Sequence, residues 1–317
     1  MNPSLPASET LLAALKALFG QEVQLLSRQP NVQTSTAPSE FVTCRIRGAK
    51  PQRLFCKYAE DGYGAAAGHR GGVAFEAMVY RELLGRLNLP SARFYGSYRV
   101  PENGATYLFL QALDENAYVS SAADPRAMVH AARWAGRFHA LGISLASALR
   151  NRLHCYDLAY YRRWLEQTLR RAVGADAADL VNACERIAPL LPRLLEVPPT
   201  IIHGEYYPQN ILVDGSAVYP IDWESAAVAC GEIDLASLIE RWPEPTVREC
   251  VEAYCKSRWA GRAPAEFDQT LDIARAYLHL RWMGRLSGPL KPAVFKWRLQ
   301  HLCELSERLD TKGAPKI

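Results

Sequence analysis

The sequence predicts an α+β protein with two lobes: a small, strand-rich first lobe and a larger, mostly helical second lobe. Three observations carry that expectation. Short, partly alternating apolar runs broken by turn residues fill residues 23–60 and return near 92–112, the period of half-buried strands. From about Asp124 the apolar positions recur at helical spacing instead. One β-like island, Ile201 to Glu224, interrupts the helical half. A chain of 317 residues also exceeds what one small core serves, and ordinary domain sizes favour two lobes.

The elements follow in order. Ser8 to Phe19 reads as an amphipathic helix with Gly20 as its stop. The runs VQLLSR, FVTCRIRG and RLFCKYAE, separated by Pro30, Pro38, Gly48 and Pro51, read as antiparallel strands and turns. Val73, Phe75, Met78, Val79, Leu83, Leu84 and Leu87 then fall at helical spacing. Two further strands, ARFYGSYRV and TYLFLQAL, flank a turn at PENG. Asp124 and Pro125 predict a capped helix start, with Gly142 as its stop. Helical patterns return at 157–173, 177–195, 234–242, 245–260, 266–287 and 291–309. The implied domains are residues 1–112 and residues 113–317, with helical parts at about 151–195 and 240–317.

Composition excludes several classes. Apolar residues make up 49% and charged residues 22%, the range of soluble globular proteins. No apolar run approaches the ~18 residues of a membrane span, so no membrane partner is expected. The N-terminus has no basic leader and Lys16 breaks its apolar run, which reads as a mature helix rather than a signal peptide. Eight cysteines without a Cys-x-x-Cys pair point to reduced thiols and a cytoplasmic location. Residues 1–150 carry 16 Lys and Arg against 11 Asp and Glu, and residues 151–317 carry 21 against 22. That mild asymmetry suits a phosphate-rich ligand, while the lack of a dense basic run argues against nucleic acid as a partner.

The chemistry concentrates in the β-like island. NILV and AVYPID flank Asp214-Gly215, a strong hairpin signal. Folding back the hairpin brings Asn210 and Asp222 to one open end, where an amide oxygen and a carboxylate suit a hard divalent cation such as Mg²⁺. Glu205 precedes the hairpin in its entry loop and can accept a proton from an attacking hydroxyl. Singly, each residue reads as an ordinary loop or turn residue; their spacing sets them apart. His203 reads as a hydrogen-bonding loop anchor, Asp234 as the N-cap of LASLIERW, and His139 as a core histidine.

HGEYYPQN followed by IDWE resembles the catalytic loop and metal-binding segment of the aminoglycoside phosphotransferase and choline kinase-like family, which has a protein-kinase-like fold. Further segments resemble the family in the same order: LFCKYAE with Lys57, AFEAMVYREL with Glu76, YLFLQAL, GRFHAL and GEIDLASL. The resemblance implies that Lys57, positioned by Glu76, holds the α- and β-phosphates of ATP. It implies that Asn210 and Asp222 bind magnesium and that Glu205 stands at the catalytic-base position. Backbone groups near Gln111 to Leu113 would meet the adenine edge. The bilobal protein-kinase-like fold would then comprise a nucleotide-binding lobe and a catalytic, acceptor-binding lobe.

Two departures stand out. The family usually has Asp where this chain has Glu205, which extends the carboxylate by a methylene, a displacement on the order of 1 Å. No glycine-rich loop covers the phosphates; SRQPNVQTSTAPSEF supplies Ser, Thr and Asn instead. The leading expectation is an ATP- and Mg²⁺-dependent kinase acting on a hydroxyl of a small molecule: an amino sugar, an amino alcohol or another metabolite or antibiotic. The alternatives are a catalytically weak, nucleotide-binding pseudokinase and transfer of a nucleotidyl group. Aromatic residues such as Tyr156, Tyr160, Tyr161, Trp164, Trp282 and Trp297 read mainly as core, with stacking on an acceptor as their other use. Pattern alone specifies neither the acceptor nor the oligomeric state.

Overall fold

The computed structural model describes residues 5–32, 37–60, 69–113, 116–174, 176–285, 288 and 290–313. In chain order the elements are α1 (Ser8–Phe19), β1 (Val23–Pro30), β2 (Ser39–Ile46), β3 (Gln52–Ala59), α2 (Gly72–Glu82), β4 (Phe94–Arg99), β5 (Thr106–Gln111) and β6 (Ala117–Tyr118). They continue with α3 (Ala127–Leu149), β7 (His154–Cys155), α4 (Leu158–Leu169), α5 (Ala177–Ile187), β8 (Thr200–Ile202), β9 (Ile211–Asp214), β10 (Ala217–Pro220) and β11 (Ala227–Ala229). Helices α6 (Glu232–Ile239), α7 (Glu244–Trp259), α8 (Phe267–Met283) and α9 (Pro292–Gly313) complete the chain. It divides into two compact units: Met1–Ala122 with Asn210–Ser225, and Ala123–Gln209 with Ala226–Ile317.

The first unit is built on an antiparallel sheet of order β1-β2-β3-β5-β4. Leu11, Ala14 and Leu15 of α1, spaced i, i+3, i+4, pack on Val42, Cys44, Leu54, Cys56, Tyr58 and Phe109. Successive strand side chains alternate between faces. With Cys56 and Tyr58 turned to α1, Lys57 between them faces the opposite side, where α2 lies. Gly20 closes α1 with φ 94°, and its N–H donates to the Lys16 carbonyl. A second, small sheet of order β10-β9-β6 belongs to the same unit. Its hairpin pairs Ala217 with Asp214, so the two-residue turn is Gly215-Ser216, one place beyond the expected Asp214-Gly215. Gly215 supplies the positive φ of 56° that this turn needs.

The second unit is mainly helical around α3 and α8. Its only sheet among the described residues has the order β7-β11-β8, with β11 parallel to β7 and antiparallel to β8. Helix α3 does not stop at Gly142 but runs on to Leu149. The glycine serves close approach instead: a Cβ there would lie 2.6 Å from Thr200 Oγ1 and 3.1 Å from the Ile201 nitrogen. Gly136 does the same for α7, where a Cβ would meet the Tyr254 carbonyl at 2.7 Å. The expected start is also displaced. Asp124 caps the turn that precedes the helix, accepting the Arg126 N–H at 2.9 Å, and α3 begins at Ala127. Asp157 caps α4 through the Tyr160 N–H at 2.7 Å. All eight cysteines are unbonded. Among the described residues, no helix is long and apolar enough to cross a membrane.

In an exposed helix interior, Gly→Ala gains about 1 kcal/mol. Gly142→Ala is expected to do the reverse, losing about 1–3 kcal/mol through overpacking against β8. A thermal melt several degrees below wild type checks this; an unchanged or higher midpoint would mean that β8 yields to the methyl.

Candidate active site

Lys57 is the centre of the first constellation. It lies on β3 and is 3% exposed. An isolated ammonium at that depth would be strongly destabilised, and three carboxylates answer it. Its Nζ stands 2.8 Å from Glu76 Oε2, 2.6 Å from Asp222 Oδ1 and 2.6 Å from Glu224 Oε1. Glu76, from the core-facing side of α2, also accepts the Trp223 N–H at 3.1 Å on its other oxygen. One carboxylate thus ties β3, α2 and the segment after the hairpin. The Glu224 carbonyl accepts the Gly71 N–H at 2.8 Å just before α2. Burial works against the Lys57 charge, but Asp222, Glu76 and Glu224 outweigh it and hold its pKa well above the ordinary lysine value. Burial pushes Glu76 up first; Lys57 pulls it back, Asp222 and Glu224 push it up again, and it stands at about 7.

The hairpin brings the predicted ligands into this neighbourhood. Asn210 closes a short 3-10 turn, Pro208–Asn210, immediately before β9. Its carbonyl accepts the Ile221 N–H at 2.9 Å, one place beyond the last ladder pair, Pro220 with Ile211. Asp222 follows with φ 66°, a left-handed conformation that Asp tolerates better than most residues. Carboxylate oxygens of Glu76, Asp222 and Glu224 all lie within 4.8 Å of one another. Three carboxylates around one ammonium leave a formal surplus of negative charge, the condition a divalent cation relieves.

At the end of β5 the Gln111 N–H donates to the Arg93 carbonyl at 2.8 Å, and its side-chain oxygen accepts the Arg93 N–H at 3.3 Å. The Gln111 amide is therefore committed to the sheet. Leu113 is buried, and its carbonyl accepts the Asn116 N–H at 3.1 Å. Residues 33–36 of the stretch that replaces a glycine-rich loop lie outside the described residues.

The second constellation is the loop after β8. Asp234 sits inside the first turn of α6, whose cap is Gly231, so it is not the N-cap the sequence suggested. Its oxygens accept the N–H groups of His203 at 2.6 Å and Gly204 at 2.9 Å. Those two donors are buried in a loop that offers them no ladder partner, and satisfying them takes precedence over a cap. His139 lies beyond, with Nε2 3.1 Å from Asp234 and Nδ1 2.8 Å from the Tyr254 hydroxyl. Burial lowers its pKa against the pull of Asp234, so the ring is neutral. Nε2–H then donates to Asp234, and Nδ1 accepts the Tyr254 O–H. His203 Nδ1 accepts the Glu205 N–H at 3.3 Å, in keeping with its reading as an anchor.

Glu205 is 7% exposed, and its Oε1 lies 3.9 Å from Arg281 Nη2. Arg281, on α8, donates to the Gly204 carbonyl at 2.8 Å and to the Tyr207 hydroxyl at 3.1 Å. Trp282 Nε1 donates to the same hydroxyl at 2.6 Å, and the Tyr206 hydroxyl donates to the Ala131 carbonyl on α3 at 3.0 Å. Sequence reasoning missed Glu224 and Arg281. Glu224 had a signal, a second acidic residue two places after Asp222. Arg281 had a weaker one: a cation in the mainly apolar run LHLRWM, which a buried helix must match with a partner.

Residues 37–268 match the profile of the phosphotransferase enzyme family. One curated relative, an N-acetylmuramate/N-acetylglucosamine kinase of Pseudomonas aeruginosa, is 29% identical over 147 residues; the match spans 42% of this chain and 44% of that protein. A choline/ethanolamine kinase family protein from Mesorhizobium loti shares the fold with TM-score 0.62 and 14% identity, over 96% of this chain and 95% of that one. Aminoglycoside 2'-phosphotransferase-IIIa, solved as its GDP complex, shares it with TM-score 0.61 and 12% identity, over 98% and 100%. The fold is the protein-kinase-like one that the sequence predicts.

Asp234→Ala strands two buried backbone donors and the His139 ring. Its expected cost is about 2–5 kcal/mol, with Asp234→Asn in between because it keeps one acceptor. Urea unfolding of the two variants measures this, and a loss below about 1 kcal/mol for Asp234→Ala would mean that the loop is anchored elsewhere.

Proposed function

The chain belongs to the phosphotransferase enzyme family, and on that footing we propose that it moves the γ-phosphoryl group of ATP to a hydroxyl of a small molecule with the help of magnesium. The observation that carries this reading is the Lys57 cluster. Phosphoryl transfer asks a protein mainly for positioning and charge neutralisation, and a buried lysine held by three carboxylates supplies both. Lys57 binds the nucleotide phosphates and Glu76 keeps its ammonium in place. Gln111 to Leu113, at the end of β5, border the adenine.

The clustered carboxylates of Glu76, Asp222 and Glu224, with negative charge in surplus, fit a hard cation, and the amide oxygen of Asn210 would join Asp222 in holding it. A magnesium ion held by these residues would supply neutralisation of phosphate charge. Glu205 accepts the acceptor's hydroxyl proton. The acceptor oxygen forms its bond to the γ-phosphorus as the bridging P–O bond breaks, and ADP leaves with the electron pair. Glutamate keeps the carboxylate this step requires.

The acceptor is an amino sugar whose nitrogen carries no charge, or a comparable neutral or acidic hydroxyl compound. Two facts favour that class over a polycation: the buried Arg281 cation beside Glu205, and the near-neutral charge of residues 151–317. The kinase of Pseudomonas aeruginosa, similar over part of its length, is named for acylated sugars of this kind.

Mass spectrometry after incubation with Mg-ATP and a panel of N-acetylated amino sugars, amino alcohols and aminoglycosides tests the reading. Wild type is expected to yield a phosphorylated N-acetyl sugar. Asp222→Ala should lose turnover by at least about 100-fold, and Glu205→Gln by about 100- to 10,000-fold. Nucleotide binding without product across the panel would favour the weak pseudokinase instead. Magnesium with nucleotide should also raise the melting temperature of wild type and leave Asp222→Ala unmoved; an equal rise in both would remove Asp222 from the metal site.

A further inference from the structure

We infer that Arg281 is the positioning residue for Glu205, a guanidinium that brackets the catalytic loop and fixes the reach and charge of its glutamate; this rests on the reading of Glu205 as the proton acceptor. Three contacts of Arg281 fall on one four-residue stretch: the Gly204 carbonyl at 2.8 Å, the Tyr207 hydroxyl at 3.1 Å and the Glu205 carboxylate at 3.9 Å. Two short hydrogen bonds hold the planar fork on either side of Glu205 in sequence, so its charge is fixed relative to the loop. The loop is stiff as well. The Tyr207 N–H donates to the Glu205 carbonyl at 2.7 Å, and the Tyr207 hydroxyl also receives Trp282 Nε1 at 2.6 Å.

The distance to the carboxylate sets the kind of interaction. At 3.9 Å it is an ion pair and not a hydrogen bond. Arg281 therefore steers the carboxylate and favours its charged form without consuming the lone pair that must take a proton. It is itself 3% exposed, where charge interactions are stronger than in water. Among the groups near the pair are His203, whose Nδ1 accepts the Glu205 N–H, the hydroxyls of Tyr207, Tyr277 and Tyr156 beside Arg281, and Glu240, whose charge acts on Tyr207. Burial pushes all three hydroxyls above the ordinary tyrosine value, so they stay neutral while Arg281 stays charged. Glutamate and arginine form a matched pair here, and an aspartate on the same backbone would draw its carboxylate back by on the order of 1 Å.

The test combines kinetics with the titration of Glu205 itself. Wild type, Arg281→Gln, Glu205→Gln and the double variant are assayed with Mg-ATP and N-acetylglucosamine. The Glu205 carboxyl is followed by NMR in protein carrying ¹³C at glutamate side-chain carboxyls, its resonance assigned by its absence in Glu205→Gln. Arg281→Gln is expected to lower kcat about 100-fold with little change in the KM for ATP, and to raise the Glu205 titration midpoint. Added to Glu205→Gln it should cost nothing further, because the two act as one unit. An equal fold-loss in both backgrounds, or a midpoint that does not move, overturns the assignment. A merely structural arginine would give those results. Arg281→Lys, which keeps the charge and loses the fork, takes the same measurements if Arg281→Gln does not fold. A shifted midpoint in a protein that phosphorylates nothing keeps the pairing and sinks the phosphotransfer reading. Turnover that is lost in Glu205→Gln but indifferent to Arg281→Gln, with an unmoved midpoint, does the opposite.

Discussion

The ammonium of Lys57 is the constraint on which the first unit is organised. A cation so deeply buried is tolerable only with partners, and the partners come from separate parts of the chain: Glu76 from α2, Asp222 and Glu224 from beyond the hairpin. Satisfying one charge therefore fixes the helix against the sheet and the hairpin base against both. The alternation of β3 makes this possible. Cys56 and Tyr58 belong to the apolar core under α1, and a one-residue slip of the strand would bury the lysine there instead. Packing and chemistry depend on the same register.

The loop that carries Glu205 is governed by a different need, the accounting of buried backbone groups. Asp234 serves two N–H groups of that loop, Arg281 serves one of its carbonyls, and Tyr206 and Tyr207 tie it to α3 and α8. The polar network continues inward through His139 and Tyr254 to Arg258, which pairs with Glu232 at 2.9 Å. Connected buried networks of this type rigidify what they enclose. The loop that carries Glu205 is thus held from α3, α6 and α8 at once.

Much of this was legible in the sequence because local rules and tertiary context agree. The helix before Gly20, the alternating strands and the approach of Asn210 to the Asp222 strand follow from period and turn chemistry, and the Lys57–Glu76 pair follows from the family resemblance. Sequence reasoning failed where a residue's use is set by what packs on it. Gly142 looked like a helix stop, yet Thr200 needs its missing side chain. Asp234 looked like a cap, yet the N–H groups of His203 and Gly204 claim it. Glu224 and Arg281 take their meaning from partners distant in sequence, which no window of the chain displays. The roles of the site residues are those that the family resemblance implies.

The left-handed backbone at Asp222 has an evolutionary corollary. Residues that take such a φ at least strain are glycine and asparagine, and each is one nucleotide change from an aspartate codon. Both would ease the backbone, and both would take away one of the three carboxylates that hold the buried Lys57 ammonium. The pairing with Lys57 thus keeps an acid at a position where the backbone alone would favour glycine or asparagine.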